Sequence, residues 1–260
     1  MTGDADPDPD SGPDPGSNPD PSPADHDWRV VESIAEYETG WYTGGYDLVE
    51  LPDGDRKRYY WAELPAAAVV VAVVDAPAEF GLPPVDADRA VVMVEQFRPT
   101  IRELCYELPA GVVEDGESYA EAGARELEEE AGLVADDVEL IESFWCSTGL
   151  LRHERGIVWA EEFSTGERTL DGSEFLDVRT VPPETARELA REPPANDATM
   201  EGLLLAAADG FADGERELDG NEFLDVRTVP VEEALELARS APANDATIEG
   251  LLLAEREGLL

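Results

Sequence analysis

GVVEDGESYAEAGARELEEEAGL, residues 111–133, is the stretch whose reading decides the fold. Ser118 stands where an N-cap belongs, Glu121 sits three residues on at the capping-box position, and Gly132 supplies a stop, so the pattern predicts a helix over 119–131. On that helix Glu126, Glu129 and Glu130 are related by i, i+3 and i+4 and share one face. Three like charges on one face repel unless a cation sits among them, and a hard divalent ion with oxygen ligands answers that need. Glu117 can reach the same place from just before the helix. Gly111 allows a sharp turn where a strand hands over to the loop. Arg125 is placed to orient a neighbouring carboxylate. Gly123, in the helix interior, costs about 1 kcal/mol of helix propensity and touches none of the carboxylate positions.

The rest of the chain raises the background against which those acids are judged. Its 260 residues hold 61 acidic and 18 basic side chains, a net charge of −43, and Lys57 is the one lysine. Duplex nucleic acid is excluded as the expected partner, because phosphate binding draws on clustered Lys and Arg; an anionic membrane surface is disfavoured for the same reason. The longest apolar run, Ala66 to Val74, suits a buried strand and falls short of the roughly 20 residues of a membrane span. The N-terminus has neither a basic region nor an apolar stretch. Two cysteines, Cys105 and Cys146, make neither a disulfide framework nor a metal cluster. The expectation is a soluble cytoplasmic protein. Acids spread along the whole chain, with lysine nearly absent, fit a salt-rich cytoplasm, where molar salt screens self-repulsion to within about 3 Å.

Residues 1–27 alternate Asp and Pro with no aromatic or branched aliphatic side chain, and read as a disordered acidic tail. Residues 28–64 carry strand-like runs (WRVVES, YDLVELPDG, RKRYYWAEL) with a hairpin turn at Pro52-Asp53-Gly54-Asp55, a small antiparallel β region. The main domain is expected over 65–210, with strands at AAAVVVAVVD (66–75), RAVVMVEQF (89–97), CYELPAG (105–111), VELIESFWCS and RGIVWAEEF. The C-terminal third contains a direct repeat: residues 166–210 recur at 214–258, identical at 34 of 45 positions. Each copy reads as a strand (EFLDVRTVP), an amphipathic helix, a loop (ANDAT) and a second, apolar helix. Two copies do not make a solenoid. Residues 211–260 are expected to be a tandem duplicate of the terminal strand–helix unit, packed on the outside or against a second protomer.

Taken with its spacing, the 111–133 stretch resembles the Nudix box, G-x5-E-x7-R-E-U-x-E-E-x-G-U, with Leu127 and Leu133 at the bulky aliphatic positions. VVMVEQFRP, CYELPAG, STGLLRHE and the repeat unit resemble the ADP-ribose pyrophosphatase branch of that family. The resemblance implies an α/β fold, a Nudix α/β/α sandwich with a mixed sheet. It also implies hydrolysis of a nucleoside diphosphate linked to another moiety, with ADP-ribose giving AMP and ribose 5-phosphate. Nucleotide-sugar hydrolysis and a nucleotide-sensing domain without turnover are the alternatives. The implied cofactor is Mg²⁺, with Mn²⁺ as the substitute. Implied metal ligands are Glu126, Glu129, Glu130, Glu117 and the carbonyl of Ala110. Arg98 is the implied diphosphate or ribose contact. The implied catalytic set is Glu174, Arg125 and Glu129, with Glu174 as the base and Glu222 its counterpart in the second copy. The partner is a small-molecule nucleotide, and a homodimer through the N-terminal sheet fits that branch. His153, in a loop without a partner at matching spacing, reads as solvent-exposed. Trp41 and Tyr42 read as core or interface packing, with adenine stacking as the alternative.

Overall fold

The computed structural model describes residues 28–87, 89–170, 172, 175–190, 194, 196–205, 245, 248 and 252. The expected acidic tail at 1–27 lies outside the described residues. Strands β1 (Arg29–Glu38), β2 (Thr43–Glu50) and β3 (Arg56–Glu63) form an antiparallel meander, with the hairpin turn at the expected Pro52–Asp55. A two-residue strand, β9 (Leu151–Arg152), adds in parallel to β3. There Arg152 pairs with Asp47 at 2.6 Å and stacks on Trp61 at 3.9 Å, tying the meander to the rest of the chain.

The apolar run expected to be a buried strand becomes β4 (Ala67–Asp75), at the centre of a seven-stranded mixed sheet. β10 (Glu154–Thr165) runs parallel to β4 and antiparallel to β8 (Leu133–Trp145). On the other side β4 pairs with β5 (Arg89–Arg98) only over Val73–Asp75. Toward its start it pairs instead with β7 (Ala110–Val112), while β6 (Glu103–Glu107) pairs with β5. The sheet therefore forks, and the Pro109–Ala110–Gly111 segment lies in the fork. β11 (Leu176–Val181) closes the far side of β5.

β4 is apolar at nearly every position because helices cover both faces of the sheet. Val70, Ala72 and Val74 pack with Leu127 and Ala131 of α1 (Tyr119–Ala131). Val69 and Val71 pack on the opposite face with Ala186 of α2 (Pro183–Leu189) and Leu203, Leu204 and Leu205 of α3 (Asp197–Leu205). This is the expected α/β/α sandwich. One detail differs from the sequence reading. Asp197, Ala198 and Thr199 of ANDAT are the first turn of α3, not loop. Of the duplicate at 211–260, only Asp245, Ile248 and Leu252 are described. Ile248 and Leu252 lie in the same core cluster as α3, and Asp245 accepts from the Ser147 amide. Among the described residues no helix is long and apolar enough to cross a membrane.

Candidate active site

The site is built on α1, whose limits follow the caps. Ser118 accepts from the Glu121 amide while Glu121 reaches back to the Ser118 amide, and Gly132 ends the helix in the left-handed region at φ 69°. The face turned toward the sheet carries Ala122, Gly123, Leu127 and Ala131 together with two acids, Glu126 and Glu130. Glu129 stands at the rim with 42% of its side chain exposed.

Two glycines let this helix sit close. Gly111 is not a turn residue: it lies inside β7 with no left-handed backbone. A Cβ there would stand 2.0 Å from the Glu126 carboxylate, so the glycine is required by close approach. Gly123 is not merely a weak helix position. A Cβ there would meet Val158 Cγ2 at 2.5 Å, so its absence brings α1 down onto the sheet.

Arg125 is the electrostatic hub. Its Nε and Nη2 donate to Glu117 at 2.9 and 3.0 Å, and Nη1 donates to Glu126 at 2.7 Å and Glu129 at 3.2 Å. Nη2 also donates to the Val112 carbonyl at 2.8 Å. Its hydrogen bonds to the Glu117 carboxylate raise the Arg125 pKa far above its ordinary value. Arg125 in turn holds the Glu117 carboxyl below the usual range, helped by the Glu114 amide. Glu130 accepts from the Ala110 amide at 3.1 Å, fixing the helix to the fork.

These residues fit a hard divalent cation in donor chemistry: several carboxylates lie along one helix face beside a backbone segment, where Gly111 has no Cβ to hold Glu126 off. They are not already gathered around a point. Among the described residues no group of three or more His, Cys, Asp or Glu side chains is arranged to hold a metal. Glu117, Glu126 and Glu129 turn to Arg125 instead, and a cation would take over part of that guanidinium's neutralising role.

Arg98, at the end of β5, lies beside this cluster. Its Nε donates to both oxygens of Glu107 at 3.1 Å, and its Nη2 to Oε2 of the same carboxylate. Burial opposes its charge, but Glu107 and, more weakly, Glu130 outweigh that and raise its pKa. Glu174 and Glu222 lie outside the described residues. His153 is half-buried rather than solvent-exposed. Its Nδ1 is 2.7 Å from the Pro65 carbonyl, and burial pushes its pKa down despite that contact. Trp41 is 63% exposed and Tyr42 36%, so neither is in the core.

Sequence reasoning missed Glu107, Asn196 and the buried pair Arg155–Glu201. A lone acid in the otherwise apolar CYELP strand, and an Asn directly before a helix with Thr three residues on, were the available signals. Glu201 is fully buried, 2.8 Å from Arg155, and its Oε1 has no hydrogen-bond partner among the described residues. Burial pushes its pKa up to about 8, with Arg155 pulling it back and Asp197 and Asp245 adding to the rise.

A profile of the NUDIX domain matches residues 76–204. The chain is 34% identical over 152 residues to the ADP-ribose pyrophosphatase of Bacillus subtilis, a match covering 58% of this chain and 76% of that protein. It is 30% identical over 148 residues to the methanol dehydrogenase activator of Bacillus methanolicus, covering 56% and 74%. The crystal structure of an ADP compounds hydrolase aligns with a TM-score of 0.59 at 19% identity, over 69% of this chain and 91% of that one, a likeness of fold.

Proposed function

The chain belongs to the Nudix family, and from that premise we propose that it hydrolyses the phosphoanhydride of a nucleoside diphosphate linked to a second moiety, with ADP-ribose as the substrate and AMP and ribose 5-phosphate as the products. The observation that carries the reading is the carboxylate face of α1, seated on Gly111 and neutralised by Arg125. The similarity to an ADP-ribose pyrophosphatase supports the choice of substrate.

Glu126, Glu129, Glu130, Glu117 and the Ala110 carbonyl would hold the divalent cation, Mg²⁺ in this reading and Mn²⁺ as its substitute. When bound, it supplies charge neutralisation at the phosphate oxygens and lowers the pKa of a bound water. Arg125, bonded to Glu117, Glu126 and Glu129, holds these acids together and oriented. Arg98 offers the positive charge that a diphosphate needs, in a chain short of cations. Glu174 takes the proton from the attacking water. Glu174→Gln then impairs turnover and Glu222→Gln does not; the reverse would assign the base to the second copy.

The acidity and near-absence of lysine support a cytoplasm rich in salt. Exposed Val30, Tyr37 and Tyr60 on the β1–β3 sheet, with Trp41 in the turn between β1 and β2, support a homodimer formed through it. The test is a panel of ADP-ribose, nucleotide sugars and dinucleotides with Mg²⁺ at high salt, reading out AMP and other monophosphates. Release of AMP fastest from ADP-ribose is expected. Fastest turnover of a sugar nucleotide would move the specificity, and no turnover of any of them would favour a sensing role.

A further inference from the structure

The buried carboxylate of Glu107 connects two parts of the chain that the proposed mechanism treats separately. Its side chain is 5% exposed, while that of Arg98, which it binds through both oxygens, is 43% exposed. A buried carboxylate demands several donors, and Glu107 has them: besides Arg98, Gln96 Nε2 donates to Oε2 at 3.0 Å and Asn196 Nδ2 to Oε1 at 3.2 Å. Asn196 comes from the ANDAT segment, 89 residues away. Its own Oδ1 accepts from the Thr199 amide at 2.9 Å, which is N-cap geometry for α3. Thr199 Oγ1 in turn accepts from the Leu108 amide at 3.1 Å, next to Glu107. The start of α3 is thus joined at two points to the strand that leads into Ala110 and Gly111.

We propose that Asn196 is a positioning residue for the substrate-binding Arg98, acting through Glu107, and that this is the task the first copy of the repeat performs for the active site. The Asn side chain is divided between two partners. Its oxygen caps α3, and its amide fixes the Glu107 oxygen that the Arg98 Nε shares. A bidentate Arg–carboxylate pair sets the plane of the guanidinium, so Asn196 sets where Arg98 points without touching substrate. The inference rests on the reading of Arg98 as a substrate contact.

The division of the side chain makes the two roles separable. Asn196→Ser keeps an oxygen for the Thr199 amide but removes the amide donor; Asn196→Ala removes both. With ADP-ribose and Mg²⁺ at high salt, both substitutions are expected to raise KM about tenfold with kcat nearly unchanged, while Asn196→Ala, which also loses the cap, lowers the thermal midpoint further than Asn196→Ser. Arg98→Ala should raise KM further, and adding Asn196→Ser to it should change KM no more. Asn244→Ser, the same substitution in the second copy, should leave KM at the wild-type value. The proposal is overturned if Asn196→Ser keeps the wild-type KM, if its effect multiplies with that of Arg98→Ala, or if Asn244→Ser is the variant that raises KM. If Arg98→Ala leaves KM unchanged, the reading of Arg98 fails first and takes this inference with it.

Discussion

Helices α1 and α3 lie on opposite faces of one sheet, and each sets a buried glutamate beside an arginine. On α1, Glu126 meets Arg125 at 2.7 Å; on α3, Glu201 meets Arg155 at 2.8 Å. The surroundings differ. Arg125 also serves Glu117 and Glu129, the latter at the rim, so the cluster can exchange partners with solvent and with a bound cation. Glu201 is fully buried with one oxygen unpartnered among the described residues, so its ionised form is held at a cost. In a chain this acidic, residue type says little about function. Access and the number of donors within reach separate the carboxylates proposed to hold a cation from the structural one.

Four substitutions probe that contrast. The largest effect is expected from Glu126→Gln, which withdraws the charge of a proposed ligand and should cut turnover by at least about 10²-fold with the fold retained. Far-UV circular dichroism alongside the hydrolysis assay checks both halves of the expectation. Gly111→Ala comes next. Its methyl displaces the flexible end of Glu126 rather than backbone, so turnover should fall by an order of magnitude or more with a smaller loss of thermal midpoint. Unaltered turnover would mean that the Glu126 carboxylate has no fixed task. Gly123→Ala works on packing alone. The alanine gains about 1 kcal/mol of helix propensity, but forcing a methyl against Val158 in a close-packed core costs about 1–3 kcal/mol. A thermal midpoint lower by roughly 2–4 °C per net kcal/mol is expected; a rise would show that the helix lifts freely from the sheet.

The smallest effect belongs to Glu201→Gln, and it depends on pH. The folded pKa of Glu201, about 8, lies above its value of 4.5 in the unfolded chain. Between those values the folded state holds the proton and the unfolded state has lost it, so stability declines as pH rises through that window. Glu201→Gln, which cannot ionise, should therefore be more stable than wild type above pH 8 and lose that advantage toward pH 5. Thermal melts across the range would expose a gain of the opposite sign, which would mean that the Arg155 ion pair outweighs the burial.

Local features were legible in the residues. The limits of α1, both of its caps, the shared face of Glu126, Glu129 and Glu130, and the hairpin at Pro52–Asp55 are all encoded within a few positions of themselves. The arm of the Arg125 hub that reaches Glu129 follows from i+4 spacing. The close contacts were not legible. Gly123 needs its missing methyl because of Val158, 35 residues on, and Gly111 because of Glu126 on a different element. Glu107 and Asn196 meet only after β5, β6 and α3 have assembled, and β9 is two residues long, below any pattern. His153 looked exposed because nothing in its spacing reveals the Pro65 carbonyl that faces it.

The most direct test of the account is a Mg²⁺ titration of AMP release from ADP-ribose at high salt, run on wild type, Glu129→Gln and Glu201→Gln side by side. Glu129 and Glu201 are both helical glutamates within reach of an arginine, and only Glu129 belongs to the α1 face. Mg²⁺-dependent release by wild type and by Glu201→Gln at similar rates is expected, with Glu129→Gln slower by at least about 10²-fold. Equal rates for Glu129→Gln and wild type, or a matching loss in Glu201→Gln, would contradict it.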